Sequence, residues 1–141
     1  MTPLELVEEF WRVWAQGGSD ALLDGFDELF TPDYEWHPPA VEVTGAYVGR
    51  DGFERYWREM GEVWDRFELQ LEENSVVADD VILSRGHVRT RGSGSGVDLD
   101  RPMYLLSRIR DGRICWVSGV FEADEAERLV AELGGPEEGR A

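Results

Sequence analysis

The sequence of 141 residues contains no lysine and a single cysteine, Cys115. One cysteine excludes an internal disulfide, and no histidine stands at zinc-ligand spacing from it, so we expect no metal site. No apolar run approaches the ~20 residues of a membrane-spanning helix, and the acidic start with Glu5 and Glu8 is unlike a signal peptide. We therefore expect a cytoplasmic protein that does not enter a membrane.

Positive charge is also scarce, because 14 basic residues, all arginine, stand against 30 acidic ones and give a formal net charge of −16. A field of this sign repels phosphate backbones and anionic lipid surfaces. The charge therefore argues against nucleic acid and membrane surfaces as partners.

The chain is rich in apolar and aromatic residues, with 42% hydrophobic residues that include 6 Trp, 6 Phe and 4 Tyr. This composition is typical of a globular domain, and a chain of this length buries about two-thirds of its surface on folding. No internal repeat is visible. We expect one domain over residues 1–136 and a flexible tail over residues 137–141.

Apolar residues at helical spacing predict four helices. The first begins at a capping box with Thr2, Pro3 and Glu5, and it is expected to end at Gly17 and Gly18. A short second helix is expected to begin at Ser19 and to be closed by Pro32, and a third is expected to begin at Arg50. The apolar sets of the later helices are Leu22, Leu23, Phe26 and Phe30, then Phe53, Tyr56 or Trp57, Met60 and Val63 or Trp64, and last Ala126, Leu129, Val130 and Leu133.

Strict alternation of apolar and polar residues predicts the strands, most clearly from Phe67 to Glu72. Asp79-Asp80 and Asp111-Gly112 mark hairpin turns, and an arm or hairpin is expected over 41–48. The expected strands are Tyr34–His37, Phe67–Glu72, Val76–Val77, Val81–Arg91, Val97–Arg110 and Arg113–Phe121. Helices ahead of an antiparallel sheet make an α+β architecture, in which the twisted sheet curls around the helices and leaves a blind pocket.

Three segments, together with the opening helix, carry a resemblance to a known family: Phe30–Pro39 (FTPDYEWHPP), Tyr47–Gly52 (YVGRDG) and Ile109–Ile114 (IRDGRI). Their order and spacing resemble the SnoaL-like branch of the nuclear transport factor 2-like superfamily, over about residues 3–134. The resemblance implies a cone-shaped barrel with a C-terminal helix, a pocket for an apolar molecule and a homodimer formed through the outer sheet face. Relatives include polyketide cyclases, ketosteroid isomerases, epoxide hydrolases and proteins without known catalysis, and no cofactor is expected.

The catalytic positions of these relatives carry other residues in this sequence. The position matching the Asp of ketosteroid isomerases, before a proline at the end of the first strand, is Pro38. The acid–base pair of the cyclases falls on Leu105 and Gly119, and none of these three side chains transfers a proton. Asp98, Asp100 and Arg101 provide the residue types of the epoxide-hydrolase cluster, but they lie at the start of a strand, beside the Gly-Ser loop at 92–96.

Two histidines remain as candidate catalytic residues, His37 and His87. His37 is either a base that faces the cone or a solvated edge residue, and pleat parity favours the second because Tyr34 and Trp36 form the apolar face. His87 shares its face with several arginines, so it lies on a solvated face or forms, with Arg89, a cationic corner for a carboxylate or enolate.

Strand parity also predicts the pocket. The inward sets are expected to be Met103, Leu105, Ser107 and Ile109 on one strand and Cys115, Val117, Gly119 and Phe121 on the next. The residues between them, Tyr104, Leu106 and Trp116, would form an outward apolar patch, which favours a homodimer. The expected ligand-binding residues are Trp14, Trp36, Trp57, Met60, Met103, Leu105, Gly119 and Phe121.

Two functions stay open at this stage. One is a protein that binds a small apolar or aromatic molecule in its cone and acts as a cofactor-independent isomerase or cyclase. The other is a non-catalytic ligand-binding or dimeric interaction module that lacks the acid–base residues of its relatives. A polar pair inside the cone would favour the first, and an apolar interior would favour the second.

Overall fold

The computed structural model describes residues 1–39, 46–92, 94 and 96–133. The helices are α1 (Pro3–Asp24), α2 (Phe26–Leu29), α3 (Gly49–Val63) and α4 (Ala123–Leu133). The strands are β1 (Phe30–His37), β2 (Tyr47–Val48), β3 (Trp64–Ala78), β4 (Val81–Gly92), β5 (Asp98–Arg110) and β6 (Arg113–Val120). The predicted tail, the domain boundary at residue 136 and most of the predicted arm lie outside the described residues.

These strands form one sheet in the order β2-β1-β6-β5-β4-β3. Neighbouring strands are antiparallel except β1 and β6, which pair in parallel. The sheet is therefore mixed rather than wholly antiparallel as the sequence predicts. The long connection between β1 and β6, through α3 and the strands β2 to β5, allows the two strands to run in the same direction. The sheet curls strongly around the N-terminal helices, and this is the α+β cone that the sequence predicts.

The curl of the sheet has a local cause in β3 and β4. The pairing of β3 with β4 shifts between Trp64 and Arg66, between Leu71 and Glu73, and between Val76 and Ala78. Such bulges bend a strand and increase its twist. Gly86 lies opposite Leu71 within this ladder, where an added Cβ would lie 2.1 Å from the Gln70 carbonyl oxygen. A side chain at this position would prevent the close approach of the two backbones.

Helix α1 begins with the predicted capping box. The Thr2 N–H donates to Glu5 Oε1 at 2.8 Å, and the Glu5 N–H donates to Thr2 Oγ1 at 3.1 Å. The bond from the Thr2 backbone lowers the pKa of Glu5, because it stabilises the charged carboxylate. The helical backbone breaks at Gly18, where the sequence predicts an end, and the helix then continues to Asp24.

Two predicted boundaries between helix and strand are wrong. Phe30 was expected in the second helix but begins β1, and Pro32 lies within that strand. The pairing of β1 with β6 is irregular between Phe30 and Glu35, so the missing N–H of proline interrupts no regular ladder there. The apolar stripe of α3 was expected to end at Val63 or Trp64; the helix ends at Val63, and Trp64 is the first residue of β3.

The inward face of β1 follows the predicted parity, since Tyr34 is 4% exposed and Trp36 packs against the core. The predicted inward face of β6 is wrong at its start. A bulge between Arg108 and Ile109 pairs Ile109 with Ile114, so Ile114 belongs to the core. Cys115 is buried outside the core cluster, with its Sγ 3.5 Å from the Arg108 carbonyl oxygen.

The outer face of β5 differs from the predicted apolar patch, because Leu106 is 0% exposed. Helix α4 packs against β5 and β6. Arg108, on the same face as Leu106, donates from Nη2 to the Leu133 carbonyl at 3.5 Å. The C-terminal helix therefore covers part of the surface that was expected to form a dimer. None of the helices in the described ranges is long and apolar enough to cross a membrane.

Candidate functional site

The cone encloses an inner cavity of about 50 Å³. Its walls are mainly aromatic, because α1, α3 and the inward faces of β1 and β3 all contribute rings to it. The aromatic residues of this lining are Phe10, Trp11, Tyr34, Trp36, Phe53, Tyr56, Trp57 and Phe67, and Leu22, Leu69, Met103, Leu105, Ser107, Ile114 and Val117 complete it. A buried water needs about 10–15 Å³ on this measure, whereas a cavity that binds benzene has about 150 Å³. The inner cavity alone is therefore too small for an aromatic ligand.

A larger space of about 400 Å³ opens between α3 and the ends of β4 and β5, and we call it the mouth. Its lining comprises Pro38, Pro39, Tyr47, Tyr56, Met60, Trp64, Phe67, Val88, Thr90, Leu99, Arg101, Met103 and Phe121. Tyr56, Phe67 and Met103 also line the inner cavity. The mouth and the inner cavity are therefore neighbours that share one apolar wall.

The polar atoms of the inner cavity are hydrogen-bond donors rather than bases. Burial raises the pKa values of Tyr34 and Tyr56, so both hydroxyls stay protonated at neutral pH. The buried Trp36 Nε1–H makes no well-formed hydrogen bond to a described residue, but it lies close enough to the Tyr56 hydroxyl to oppose part of the rise in the pKa of Tyr56. Its ring lies 5.5 Å from that of Tyr56, in an edge-to-face arrangement. This corner of the cone can donate a hydrogen bond to a ligand but cannot abstract a proton from one.

Most of the predicted ligand-binding residues line these two spaces. Trp36, Trp57, Met103 and Leu105 line the inner cavity, and Met60, Met103 and Phe121 line the mouth. Trp14 lies one layer further out, with its ring centroid 5.1 Å from that of Trp57. It lines a separate groove between α1 and β3.

Gly119 lies next to Trp36 and Leu105 and lines a groove of about 480 Å³ beside the mouth. This groove also contains His37, Ser118, Glu122 and Glu125, and it shares Pro38, Pro39, Arg101 and Phe121 with the mouth. The groove carries charged side chains where the mouth is mainly apolar.

His37 lies on the outer face of β1, as parity predicts. Its Nε2 is 3.0 Å from Glu35 Oε1, and its ring lies 5.4 Å from that of Trp116. It lines neither the mouth nor the inner cavity in the described part of the chain.

His87 lies on the outer face of β4, where its Nδ1 is 2.9 Å from Asp100 Oδ1 and its Nε2 is 3.2 Å from Glu72 Oε2. Arg85 pairs with Glu72 and Glu73 on the same face. The cavity that His87 borders has only about 10 Å³, which is the space of a single water. The structure therefore does not bring the two histidines together, and neither of them is among the described residues that line the inner cavity or the mouth.

The residue types of an epoxide-hydrolase cluster are divided between the two faces of β5. Asp98 pairs with Arg91, and Asp100 contacts His87 on the outer face. Arg101 points the other way and lines the mouth. Among the described residues, no group of three or more His, Cys, Asp or Glu side chains is arranged to hold a metal ion.

Several residues of the site are not among those predicted from the sequence, notably Tyr56, Phe67, Leu99 and Arg101. Leu99 and Arg101 share the parity of Met103, and extending the inward set toward the start of β5 would have found them. Tyr56 and Trp57 are adjacent on α3, and the helical pattern left open which of them faces the core. Both line the inner cavity.

A family model described as a SnoaL-like domain matches residues 7–117, and no curated protein matches the sequence significantly. An NTF2-like protein from Burkholderia thailandensis is 19% identical with a TM-score of 0.75, over 91% of this chain and 96% of that chain. TerC, co-crystallised with polyporic acid, is 17% identical with a TM-score of 0.70, over 91% and 97%. A protein with a ketosteroid isomerase-like fold from Catenulispora acidiphila, in complex with trimethylamine, is 17% identical with a TM-score of 0.67, over 87% and 88%. At these identities the solved structures show a shared fold.

Proposed function

Because this chain belongs to the SnoaL-like domain family, we propose that it binds a small apolar or aromatic molecule in the mouth of its cone. The observation that carries the proposal is the wall shared by the two spaces, where Tyr56, Phe67 and Met103 line both. An apolar cleft with a few donors at its inner end is the usual form of a small-molecule site.

The volumes indicate how such a ligand lies. The mouth, at about 400 Å³, has room for a fused aromatic ring system, whereas the inner cavity at about 50 Å³ has room for a substituent. The body of the ligand would pack between Met60 and Phe121, with one end beside Tyr56. Two structural neighbours contain small molecules, polyporic acid and trimethylamine, which supports binding as the shared property of the fold.

A second candidate is a cofactor-free isomerase or cyclase, and the Tyr56 hydroxyl favours it. A protonated phenol in a water-poor site can stabilise an enolate oxygen, which is one half of that chemistry. The other half is a base near the carbon acid. The described lining of the inner cavity contains no carboxylate, imidazole or amine, so binding without proton transfer is the better supported function.

The experiment is a fluorescence titration with N-phenylnaphthylamine, a neutral aromatic probe that brightens in apolar surroundings. Met60→Glu places a carboxylate in the mouth, and Val63→Glu places one on the exposed side of the same helix, where Val63 is 50% exposed. Burying an unpartnered polar group costs about 1–3 kcal/mol, so we expect Met60→Glu to weaken binding about tenfold. Val63→Glu should leave it unchanged. Absence of binding by the wild type, or equal losses in both variants, would contradict the proposal.

A homodimer through the outer sheet face stays a prediction, and the exposed apolar surface that supports it is smaller than the sequence predicts. Tyr104 and Trp116 are half-buried on that face, but Leu106 is covered within the same chain. Sedimentation equilibrium at micromolar concentration measures the mass directly, and the mass of a monomer would contradict the predicted homodimer.

The cytoplasmic location also stays a prediction.

A further inference from the structure

Arg101 introduces a positive charge into the mainly apolar mouth. In the ladder between β4 and β5, Leu99 lies opposite Thr90, and Arg101 lies opposite Val88. These four residues all line the mouth, together with Met103 further along β5. Arg101 is thus part of the inward series of β5, at the position where this series reaches solvent.

Phe121 holds the guanidinium of Arg101 in place. The Arg101 Cζ lies 3.8 Å from the centroid of the Phe121 ring, which is a close cation–π contact. This contact fixes one face of the planar group and leaves its N–H donors free at the edge. A guanidinium that is oriented in this way can form two parallel hydrogen bonds to a carboxylate or a similar anion.

Within the described part of the chain, Arg101 differs from Arg85 and Arg91 of the outer sheet face, because no acidic side chain pairs with it. Arg85 pairs with Glu72 and Glu73, and Arg91 pairs with Asp98. Among the described residues, no carboxylate lies within 4.0 Å of the Arg101 guanidinium. The chain has 30 acidic residues and a net charge of −16. Arg101 faces an apolar space and pairs with none of the acidic residues that the structure describes, so its guanidinium is available to a ligand.

The neighbouring charges indicate on which side an anion would bind. Glu122 and Glu125 line the adjacent groove, so an anion on that side of Arg101 would meet like charges. The described lining of the mouth contains no acidic residue. The mouth side of Arg101 is therefore the favourable side for an anionic group.

We propose that Arg101 is a specificity-determining residue that binds the anionic group of an aromatic ligand, such as a carboxylate, a phenolate or a sulfonate. The inference rests on the proposed function and narrows it to aromatic anions. The ring system would lie in the mouth against Met60 and Met103, with its charged substituent at the rim beside the guanidinium.

Two probes with the same ring system test this inference. Anilinonaphthalene sulfonate and N-phenylnaphthylamine share their aromatic skeleton, and only the first carries an anionic group. We expect Arg101→Gln to lower the affinity for the sulfonate probe about fivefold, which is the modest loss typical of a solvent-exposed ion pair. The affinity for the neutral probe should change less than twofold. Arg101→Lys keeps the charge but loses the paired donors, so it should restore the affinity in part.

The matched control is Arg58→Gln, which removes the same charge from an exposed position of α3 that lines neither space. It should leave the affinities for both probes unchanged. Met60→Glu should lower the affinities for both probes if both occupy the mouth.

Equal affinity of the wild type and Arg101→Gln for the sulfonate probe would overturn the inference and leave the proposed function standing. An equal loss of affinity for both probes in Arg101→Gln, with an unchanged midpoint of urea unfolding, would also overturn it. The Arg101 side chain would then contribute to binding by its packing and not by its charge. Failure of both probes to bind the wild type would overturn the proposed function and this inference with it.

Discussion

Gly119 is in close contact with Trp36 across β6 and β1. A Cβ added to Gly119 would lie 3.0 Å from Trp36 Cη2, 3.1 Å from Leu105 Cδ2 and 3.2 Å from Pro39 Cδ. The absence of a side chain at this position therefore makes room for the indole, which lines the inner cavity. Packing against the indole accounts for the glycine at position 119.

Gly119→Ala is expected to destabilise the protein. Overpacking costs about 1–3 kcal/mol, and the reduced freedom of the unfolded chain returns about 0.4–1 kcal/mol, so we expect a net loss of about 1–2 kcal/mol in urea unfolding. The control is Gly61→Ala in α3, where an added Cβ has no heavy atom within 4 Å. That variant should be more stable than the wild type by about 0.5–1 kcal/mol, because alanine has the higher helix propensity. A higher free energy of unfolding in both variants would contradict this prediction, because it would mean that the Trp36 indole shifts to make room for the added Cβ.

Leu105→Ala and Leu106→Ala compare the two faces of β5. Leu105 is 7% exposed in the inner core, and Leu106 is 0% exposed on the opposite face. Both should lower the free energy of unfolding by about 2–5 kcal/mol, because each leaves a cavity in a packed layer. Only Leu105→Ala enlarges the inner cavity, so it alone should change the affinity for N-phenylnaphthylamine. A loss near zero for Leu106→Ala would mean that α4 does not pack on this face.

The helices and strands, and the two faces of β1, could be predicted from the spacing of apolar residues. This spacing keeps the helical or the strand period over many residues in this chain. The parity of β1, with Trp36 inward and His37 outward, is an example. Periodicity failed where the ladder is irregular, since the bulge at Arg108 exchanges the roles of Ile114 and Cys115. No residue type in the sequence marks that bulge.

The candidate site could be predicted only where it depends on local pattern, because contacts between segments that are distant in sequence leave no such pattern. Apolar residues such as Met103 and Leu105 could be assigned from strand parity alone. Leu106 is buried on the face of β5 where Arg108 bonds to the end of α4. Helix α4 is distant from β5 in sequence, so a local pattern cannot show that it packs there. The contact between Arg101 and Phe121 likewise joins the start of β5 to the residue after β6, and only the folded chain brings them together.

Glu5→Gln is expected to reduce stability in a pH-dependent way. The folded pKa of Glu5 is lowered, chiefly by the hydrogen bond from the Thr2 backbone. A lowered folded pKa means that the carboxylate contributes fully above its ordinary value of 4.5, and that the contribution is lost as the pH falls through the folded value. Urea unfolding should therefore show the wild type more stable than Glu5→Gln at neutral pH, with the difference vanishing in acid. Glu8→Gln removes the same charge from an exposed position outside the capping box, and it should change the free energy of unfolding at neutral pH less than Glu5→Gln does.

The two histidines separate ligand binding from acid–base catalysis. His37 contacts Glu35 and Trp116, and His87 contacts Glu72 and Asp100, all on the outer face of the sheet. We expect His37→Gln and His87→Gln each to bind N-phenylnaphthylamine within about twofold of the wild type, since surface substitutions away from a site change free energies by about 0.5 kcal/mol at most. Met60→Glu serves as the variant that must lose binding in the same titration. A tenfold loss in His37→Gln, with an unchanged unfolding midpoint, would place its imidazole on the ligand. The isomerase-like mechanism would then be favoured, because a base would be available at the edge of the cone.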